Sequence, residues 1–456
     1  MRFFRAIFSF LGINEAIFYS LILRGWQIVA APITLFLIIH HFSPEQQGFY
    51  YTFNSLLLLQ IFFEMGLSFV LIQFSSHEFS KLSWKKMGGI QGAKRLRRFK
   101  EILNQSMHYY SLFSLLFFVL LVPAGFYFLA SKSSENVNFD WKLPWVISVL
   151  FTTLILLATP LMAIIEGSGR VKEVSLVRLG QSITSVFAAW IVIALGGGLL
   201  NAATITSVNA IFIWVWLVLK NPSLVRLALR GILKSQSLTL TSTQFSWRQE
   251  IWPMQWRIAL SWVSGYFINQ LFVPILFYYH GPEIAGKMGM TLSLANMLPI
   301  VGQAWITSKA PFMGRLVAQR ELEKFDEMFF KLLKQSTVVV FLGACTLAIF
   351  PFVFSSVSIF QRVLSPDQIA ILAASSLVTH LVNCFAQYLR SFKKEPMMEV
   401  SVIGAILVAS LAWYSGKYYS SKEIVFSALA VNLLFGLPTS FWLWLKHRKT
   451  WKNELA

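Results

Sequence analysis

Apolar stretches long enough to cross a bilayer recur along the whole chain, and nothing else limits its fold as sharply. They occupy residues 16–39, 48–74, 106–130, 143–165, 174–196, 198–219, 256–279, 286–308, 335–360, 369–389, 397–415 and 423–445. An α-helix of about 20 predominantly apolar residues spans the hydrocarbon core. Backbone N–H and C=O groups find no water there, so only helices and closed barrels cross. Runs this long and continuous read as helices. Hydrophobic residues make up 56% of the chain and charged ones 13%, against about half and a quarter in a soluble domain. The sequence predicts an all-α polytopic membrane protein with 12 transmembrane helices.

The net charge of +19 would suit nucleic acid, but its distribution points to topology. Of the 39 Lys and Arg, 32 fall in the N-terminal segment and the alternate connections that share its side, six fall on the other side, and Arg24 lies within a span. That bias predicts cytoplasmic N- and C-termini and attraction to anionic membrane lipids, not nucleic-acid binding. The loop Ser75–Gln105 alone holds Lys81, Lys85, Lys86, Lys94, Arg95, Arg97, Arg98 and Lys100. Its Gly88-Gly89 and Gly92 lack the strand and Gly-Lys-Ser/Thr context of a phosphate loop. Met1–Asn14 reads as an uncleaved amphipathic segment on the inner surface. The longest outer loop, Ser131–Lys142, has only Glu135 and Asp140 as acids, too few for acid–base catalysis on that side. No enzyme activity is expected. Cys345 and Cys384 form no metal or disulfide pattern, and no cofactor is expected.

An internal repeat sets the domain organisation. Pro44-Glu45-Gln46-Gln47-Gly48, read as the turn between spans one and two, returns as Pro282-Glu283-Ile284-Ala285-Gly286 between spans seven and eight. Arg98-Phe99-Lys100-Glu101 with Gln105-Ser106 precedes span three, and Lys324-Phe325-Asp326-Glu327 with Gln335-Ser336 precedes span nine. Both halves hold six spans and start on the same side, so the repeat is parallel. This predicts a lobe at 1–219, a cytoplasmic linker at 220–255 and a second lobe at 256–456, with a cleft suited to transport.

A charge at mid-helix costs roughly 2.5–3.5 kcal/mol on the insertion scale, so it calls for a partner, water or a function. Arg24 and Glu64 each lie 20 residues from Pro44, at matching depth in a hairpin. Two readings stay open: a mutually neutralising ion pair, or a guanidinium clamp for phosphate oxygens with Glu64 as its resting partner or a proton carrier. Helical spacing groups Gln27 with Arg24, and Gln60 and Ser68 with Glu64. It also groups Tyr266 with Asn269 and Gln270, above Arg257, and sets Ser376, His380, Asn383 and Gln387 in one stripe. Polar residues of this kind also glue membrane helices without touching substrate. A free imidazole titrates near neutral pH, which makes His380 a candidate for ion coupling, against the commoner role of a hydrogen-bonded residue in a helix interface.

The segments Trp262–Gln270, Gly281–Gly286 and Trp305 through Lys309-Ala310-Pro311-Phe312, with Glu64-Met65-Gly66 before the basic loop, resemble the polysaccharide (O-antigen) flippase branch of the multidrug/oligosaccharidyl-lipid/polysaccharide exporter superfamily. The resemblance implies two six-helix lobes in a V around a central cleft, in a bacterial plasma (inner) membrane. It implies export of an undecaprenyl-diphosphate-linked oligosaccharide, of the O-antigen or exopolysaccharide kind, by alternating access, with H+ or Na+ as coupling ion. Arg24 and Arg257 become the cationic wall, and Glu64 and His380 the ion-coupling candidates. Polymerase and chain-length proteins of the same pathway are implied contacts. The competing readings are a cation-coupled multidrug exporter, disfavoured by Arg24 where such proteins carry a carboxylate, and a membrane polysaccharide polymerase.

Overall fold

A computed structural model describes residues 15–79, 82–92, 96–132, 139–233, 246–353, 358–392 and 396–455. The expected amphipathic segment Met1–Asn14, together with Lys81, Lys94, Arg95, Glu135 and most of the Ser- and Thr-rich stretch after residue 234, lies outside them. In chain order the elements are α1 (Glu15–His41), α2 (Pro44–Leu57), α3 (Gln60–Glu64), α4 (Leu67–Phe79), β1 (Ser83–Trp84), β2 (Ile90–Gln91), α5 (Leu96–Ala130), α6 (Lys142–Gly167), α7 (Val171–Ala194), α8 (Leu200–Lys220) and α9 (Pro222–Leu233). They continue with α10 (Trp247–Glu250), α11 (Trp252–Asn269), α12 (Phe272–His280), α13 (Pro282–Ala318), α14 (Leu322–Val353), α15 (Pro366–Arg390), α16 (Met398–Tyr418), α17 (Ser421–Val431) and α18 (Leu437–Leu455). Among the described residues ten helices are long and apolar enough to cross a membrane, and twelve spans result if each of two bent helix pairs counts as one.

Local chemistry explains where the helices begin, and it corrects one expectation. The residues 43–48 are not a turn but the first turn of α2. Ser43 Oγ accepts from the Gln46 N–H (3.1 Å) and Gln46 Oε1 accepts from the Ser43 N–H (3.0 Å), a reciprocal cap. Pro44 takes the first helical position, where its missing N–H costs nothing. α13 starts the same way, with Pro282 after Gly281 at φ 88°. The repeated Pro-Glu-x-x-Gly is therefore a helix-start signature.

The chain forms two compact units that do not follow its halves. One comprises Met1–His41 and Leu56–Trp262, the other Phe42–Ser55 and Val263–Ala456.

In the first unit, Phe99, Leu103 and Met107 of α5 pack with Leu161, Ile164 and Ile165 of α6, Val174 and Val177 of α7, and Leu217 of α8. α9, inside the expected linker, is an amphipathic helix whose Leu224, Val225 and Ala228 join this core. The basic loop was expected to lack a strand. Instead it carries a small antiparallel hairpin, Trp84 opposite Ile90. The Trp84 indole donates to Ser168 Oγ at 2.9 Å, and the Arg170 guanidinium lies 5.0 Å over its ring. Gly88 (φ 74°) turns the hairpin so close to Asn221 that a Cβ there would sit 2.7 Å from its Cα. Arg98 bridges Glu78, buried at 2% exposure, and Glu250. It thereby ties the segment entering α11 to the ends of α4 and α5.

In the second unit, Phe325 and Phe329 of α14, Phe385 and Tyr388 of α15, and Trp444 and Trp451 of α18 form an aromatic core. Asp326 sits inside it. Tyr388 donates to Asp326 Oδ1 (2.7 Å) and Arg448 to Oδ2 (2.7 Å), while the guanidinium lies 5.3 Å over Trp444. Removing one partner of such a pair strands the other. Asp326→Ala should cost about 2–3 kcal/mol, reduced from the fully buried case because Arg448 is partly exposed. Asp326→Asn, which can still accept from Tyr388, should cost less. Thermal unfolding of the purified protein checks both.

The repeated glycines meet in this unit. A Cβ on Gly48 would lie 1.9 Å from the Pro282 carbonyl oxygen, and one on Gly286 would lie 2.8 Å from the Gly48 nitrogen. α2 and α13 thus cross backbone to backbone, as small residues allow in membranes. The Gln47 amide, 1% exposed, donates to the carbonyl oxygens of Gly286 (2.9 Å) and Arg362 (2.9 Å).

Candidate substrate and coupling sites

Both bent spans break beside residues singled out from the sequence. In the first unit α3 ends at Glu64, and Met65 (φ 47°) and Gly66 (φ 64°) carry the chain into α4 through the left-handed region, bending the span by 46°. The Ser68 hydroxyl donates to the Glu64 carboxylate, beside the buried Tyr110 of α5. Gln60 stands one turn earlier, half-buried. Irregular backbone at membrane depth persists only where protein or a wet cavity surrounds it.

Gly66 also packs on α11. A Cβ there would sit 2.4 Å from the Ile258 methyl group. The next residue back is Arg257, exposed and stacked at 5.5 Å over Trp256. The structure therefore brings the Glu64 break and the helix carrying Arg257 together. Gly66→Ala meets both the contact and the positive φ, which costs a non-glycine residue roughly 1–2 kcal/mol. It should lower the unfolding midpoint by several degrees, whereas a methyl at Gly265, with nothing within 4 Å, should not.

Arg24 is held differently. α1 packs along α7, with the Trp26 ring 5.4 Å from Phe187 and the Trp190 indole donating to Thr34 Oγ1 at 2.8 Å. Arg24 precedes Trp26 by two residues, about 200° around the helix, so it lies away from that contact. It is half-buried, with Gln27 exposed beside it, and a Cβ on the intervening Gly25 would meet nothing within 4 Å. The direct Arg24–Glu64 ion pair, one of the two readings of the sequence, is not formed. Matching depth does not bring the two into contact, because α1 lies along α7 rather than along α3, and Glu64 takes Ser68 instead.

The second break, between α11 and α12, bends the span by 43° and follows Asn269. Here Asn269 is exposed, its amide donating to the Gly265 carbonyl at 2.9 Å, and it lines a small cavity with Asn296, Ser375, Ser376, Thr379 and Asn432. Its volume is about 40 Å³, enough for two to four waters at about 10–15 Å³ each. Asn432 donates to Ser375 Oγ (3.2 Å) and opens a π-helical turn, Asn432–Gly436, a distortion frequent at functional sites. Sequence spacing found Asn269 and Ser376. It missed Asn296, Thr379 and Asn432, whose only signal is a polar residue within an apolar span. Tyr266, grouped with Asn269 by spacing, is buried at 6% exposure, and the half-buried Gln270 is not among the cavity residues.

His380 does not line this cavity. Its ring is fully buried, Nε2 lying 3.1 Å from Ser336 Oγ, and it packs on Gly302, where a Cβ would come within 2.6 Å of Cε1.

No protein-family model matches the sequence, and no curated protein matches it. Solved structures do. An inward-facing multidrug-resistance transporter of the MATE family, in the MOP superfamily, superposes with a TM-score of 0.69 at 13% identity, over 96% of this chain and 100% of that one. An outward-facing transporter of the same description gives 0.55 at 11%, over 96% and 95%. A MOP superfamily transporter from Pyrococcus furiosus, described as having a binding pocket of reverse polarity, gives 0.53 at 10%, over 96% and 94%. Identities this low speak to the fold, which is the all-α, two-lobed membrane fold expected from the sequence.

Proposed function

We propose that this chain is a transporter that moves a lipid-linked oligosaccharide, joined through a diphosphate to a polyprenyl tail, from the inner to the outer leaflet of a bacterial plasma membrane. The observation that carries this reading is Arg24: a guanidinium inside a membrane span, on the face of α1 turned from its packing partner, with open space at Gly25. Forked donors match anionic phosphate oxygens. Gln27 stands beside it for glycan or phosphate oxygens, and Arg257 adds an exposed cation. α1 has no Asp or Glu after Glu15, so it offers a cationic drug no counter-charge. In this reading Glu64, held by Ser68 at the span-two break, takes up a proton during the cycle. The two-lobed fold shared with solved transporters supports transport in general.

Purified protein in liposomes, given a fluorescent polyprenyl-diphosphate glycan, should move the label between leaflets, faster under an imposed proton gradient. No movement under proton or sodium gradients would remove the reading. The second reading, a cation-coupled multidrug exporter, is favoured by the multidrug transporters among the solved structures. Ethidium efflux from cells expressing the chain separates the two, since the lipid-linked substrate predicts none.

A further inference from the structure

The second unit contains a larger cavity that neither break uses. It lies where α13, α15 and α17 begin and has a volume of about 420 Å³, within the roughly 300–1,000 Å³ typical of small-molecule pockets. Lys287, Gln361, Ser365, Gln368 and Ser421 give it polar walls, and Phe360 gives it an aromatic one.

Its walls are braced from outside. The turn Ser358–Arg362 is clamped by Gln47, which donates to the Arg362 carbonyl at 2.9 Å, and by the Arg362 guanidinium, which donates to the Phe42 carbonyl at 2.7 Å. The Leu364 N–H donates to Thr291 Oγ1 (3.0 Å). Gln368 donates to Ser421 Oγ (3.0 Å), and Lys287 is tethered to Glu283 (2.8 Å). The helix crossing at Gly48 and Gly286 thus holds the cavity preformed, which lowers the ordering cost of binding.

The lining selects a ligand class. Among the described residues it includes no carboxylate, and the acids at the three helix starts are engaged: Glu283 with Lys287, Asp367 with Lys422 (2.9 Å), and Glu423 with Ser420 (2.6 Å). A cation would find no counter-charge. A purely apolar ligand would strip water from the Gln361 amide, the wall hydroxyls and the Lys287–Glu283 pair and return no hydrogen bond. A hydroxyl-rich ring suits these walls, because each hydroxyl both donates and accepts while Phe360 covers an apolar ring face. Lys287 adds a preference for a ring bearing a carboxylate.

We propose that this cavity is a saccharide subsite that takes one sugar unit of the transported glycan, acidic sugars before neutral ones. The proposal rests on the transport reading above. Saturation-transfer NMR on the full-length protein, in a detergent without a sugar headgroup, tests it with glucuronate and glucose as probes. Wild type should transfer saturation to both, more to glucuronate. Gln361→Trp, which fills the cavity from an exposed position, should weaken both signals by about tenfold, one order of magnitude in affinity, at an unchanged unfolding midpoint, and Gln368→Leu should weaken both as much while lowering the midpoint slightly. Lys287→Gln should lower the glucuronate signal to the level of glucose. No transfer from wild type, or full transfer from Gln361→Trp, overturns the subsite. Arg24→Ala should keep both sugar signals. If that variant also transports normally, the Arg24 clamp falls while the subsite stands; if wild type moves no lipid-linked glycan in liposomes yet keeps both sugar signals, the transport reading fails and the subsite remains.

Discussion

Replacing Gly48 with Ala should lower the thermal midpoint of the purified protein by about 6–12 °C, for a loss of about 3 kcal/mol at 2–4 °C per kcal/mol for a domain of some 200 residues. The added Cβ would sit 1.9 Å from the Pro282 carbonyl oxygen and 2.4 Å from its carbon. Both are backbone atoms and cannot turn aside as a side chain would, so α2 and α13 have to separate. Separation would also lengthen the Gln47 bond to Gly286 and loosen the brace on Arg362. Gly286→Ala, with 2.8 Å to the nearest atom, should cost less. Gly25→Ala, which meets nothing within 4 Å, should be neutral or stabilising by up to about 1 kcal/mol, the helix propensity gained. Equal midpoints for Gly48→Ala and Gly25→Ala would show that the helices do not cross this closely.

Arg24→Ala should abolish export of surface polysaccharide with the protein still folded and abundant. A hydrogen bond to a charged group contributes about 1.5–3 kcal/mol, so losing a clamp on the diphosphate corresponds to roughly 10–100-fold in affinity. Arg24→Lys should recover part of the activity, because an ammonium keeps the charge and loses the planar fork. Liposome translocation reads the activity, and detergent gel filtration reads the fold. If the protein disappears together with the activity, Arg24 is a packing residue and the mechanism falls. If transport persists in Arg24→Ala, the diphosphate is held elsewhere.

Much of this architecture is legible in the residues. The apolar spans match the ten helices long enough to cross a membrane and the two bent pairs that bring the number to twelve, and the Pro-Glu-x-x-Gly repeat marks the two helix starts that meet at Gly48 and Gly286. Glu64 and Asn269, chosen as misfits in apolar surroundings, fall beside the two breaks. Other readings failed for physical reasons. α5 and α14 begin ten or more residues before the apolar runs at 106–130 and 335–360, because their polar first turns continue the helix beyond the apolar run. Depth along a hairpin set Arg24 beside Glu64, yet depth says nothing about which helix packs on which. The linker at 220–255 hides α9 and its place in the first core, since a short amphipathic helix fails a test for spanning length.

Hydropathy by itself determined that the chain carries ten to twelve helices long and apolar enough to cross a membrane, because each helix satisfies its backbone locally and a local pattern reports it. Only the tertiary structure decided that Phe42–Ser55 joins the second unit and the segment through Trp262 the first. It alone set His380 against Gly302 and closed a cavity among Lys287, Gln368 and Ser421. Those outcomes depend on contacts between residues far apart in the chain, where the fit of one side chain against another backbone, rather than any periodicity, chooses the partner.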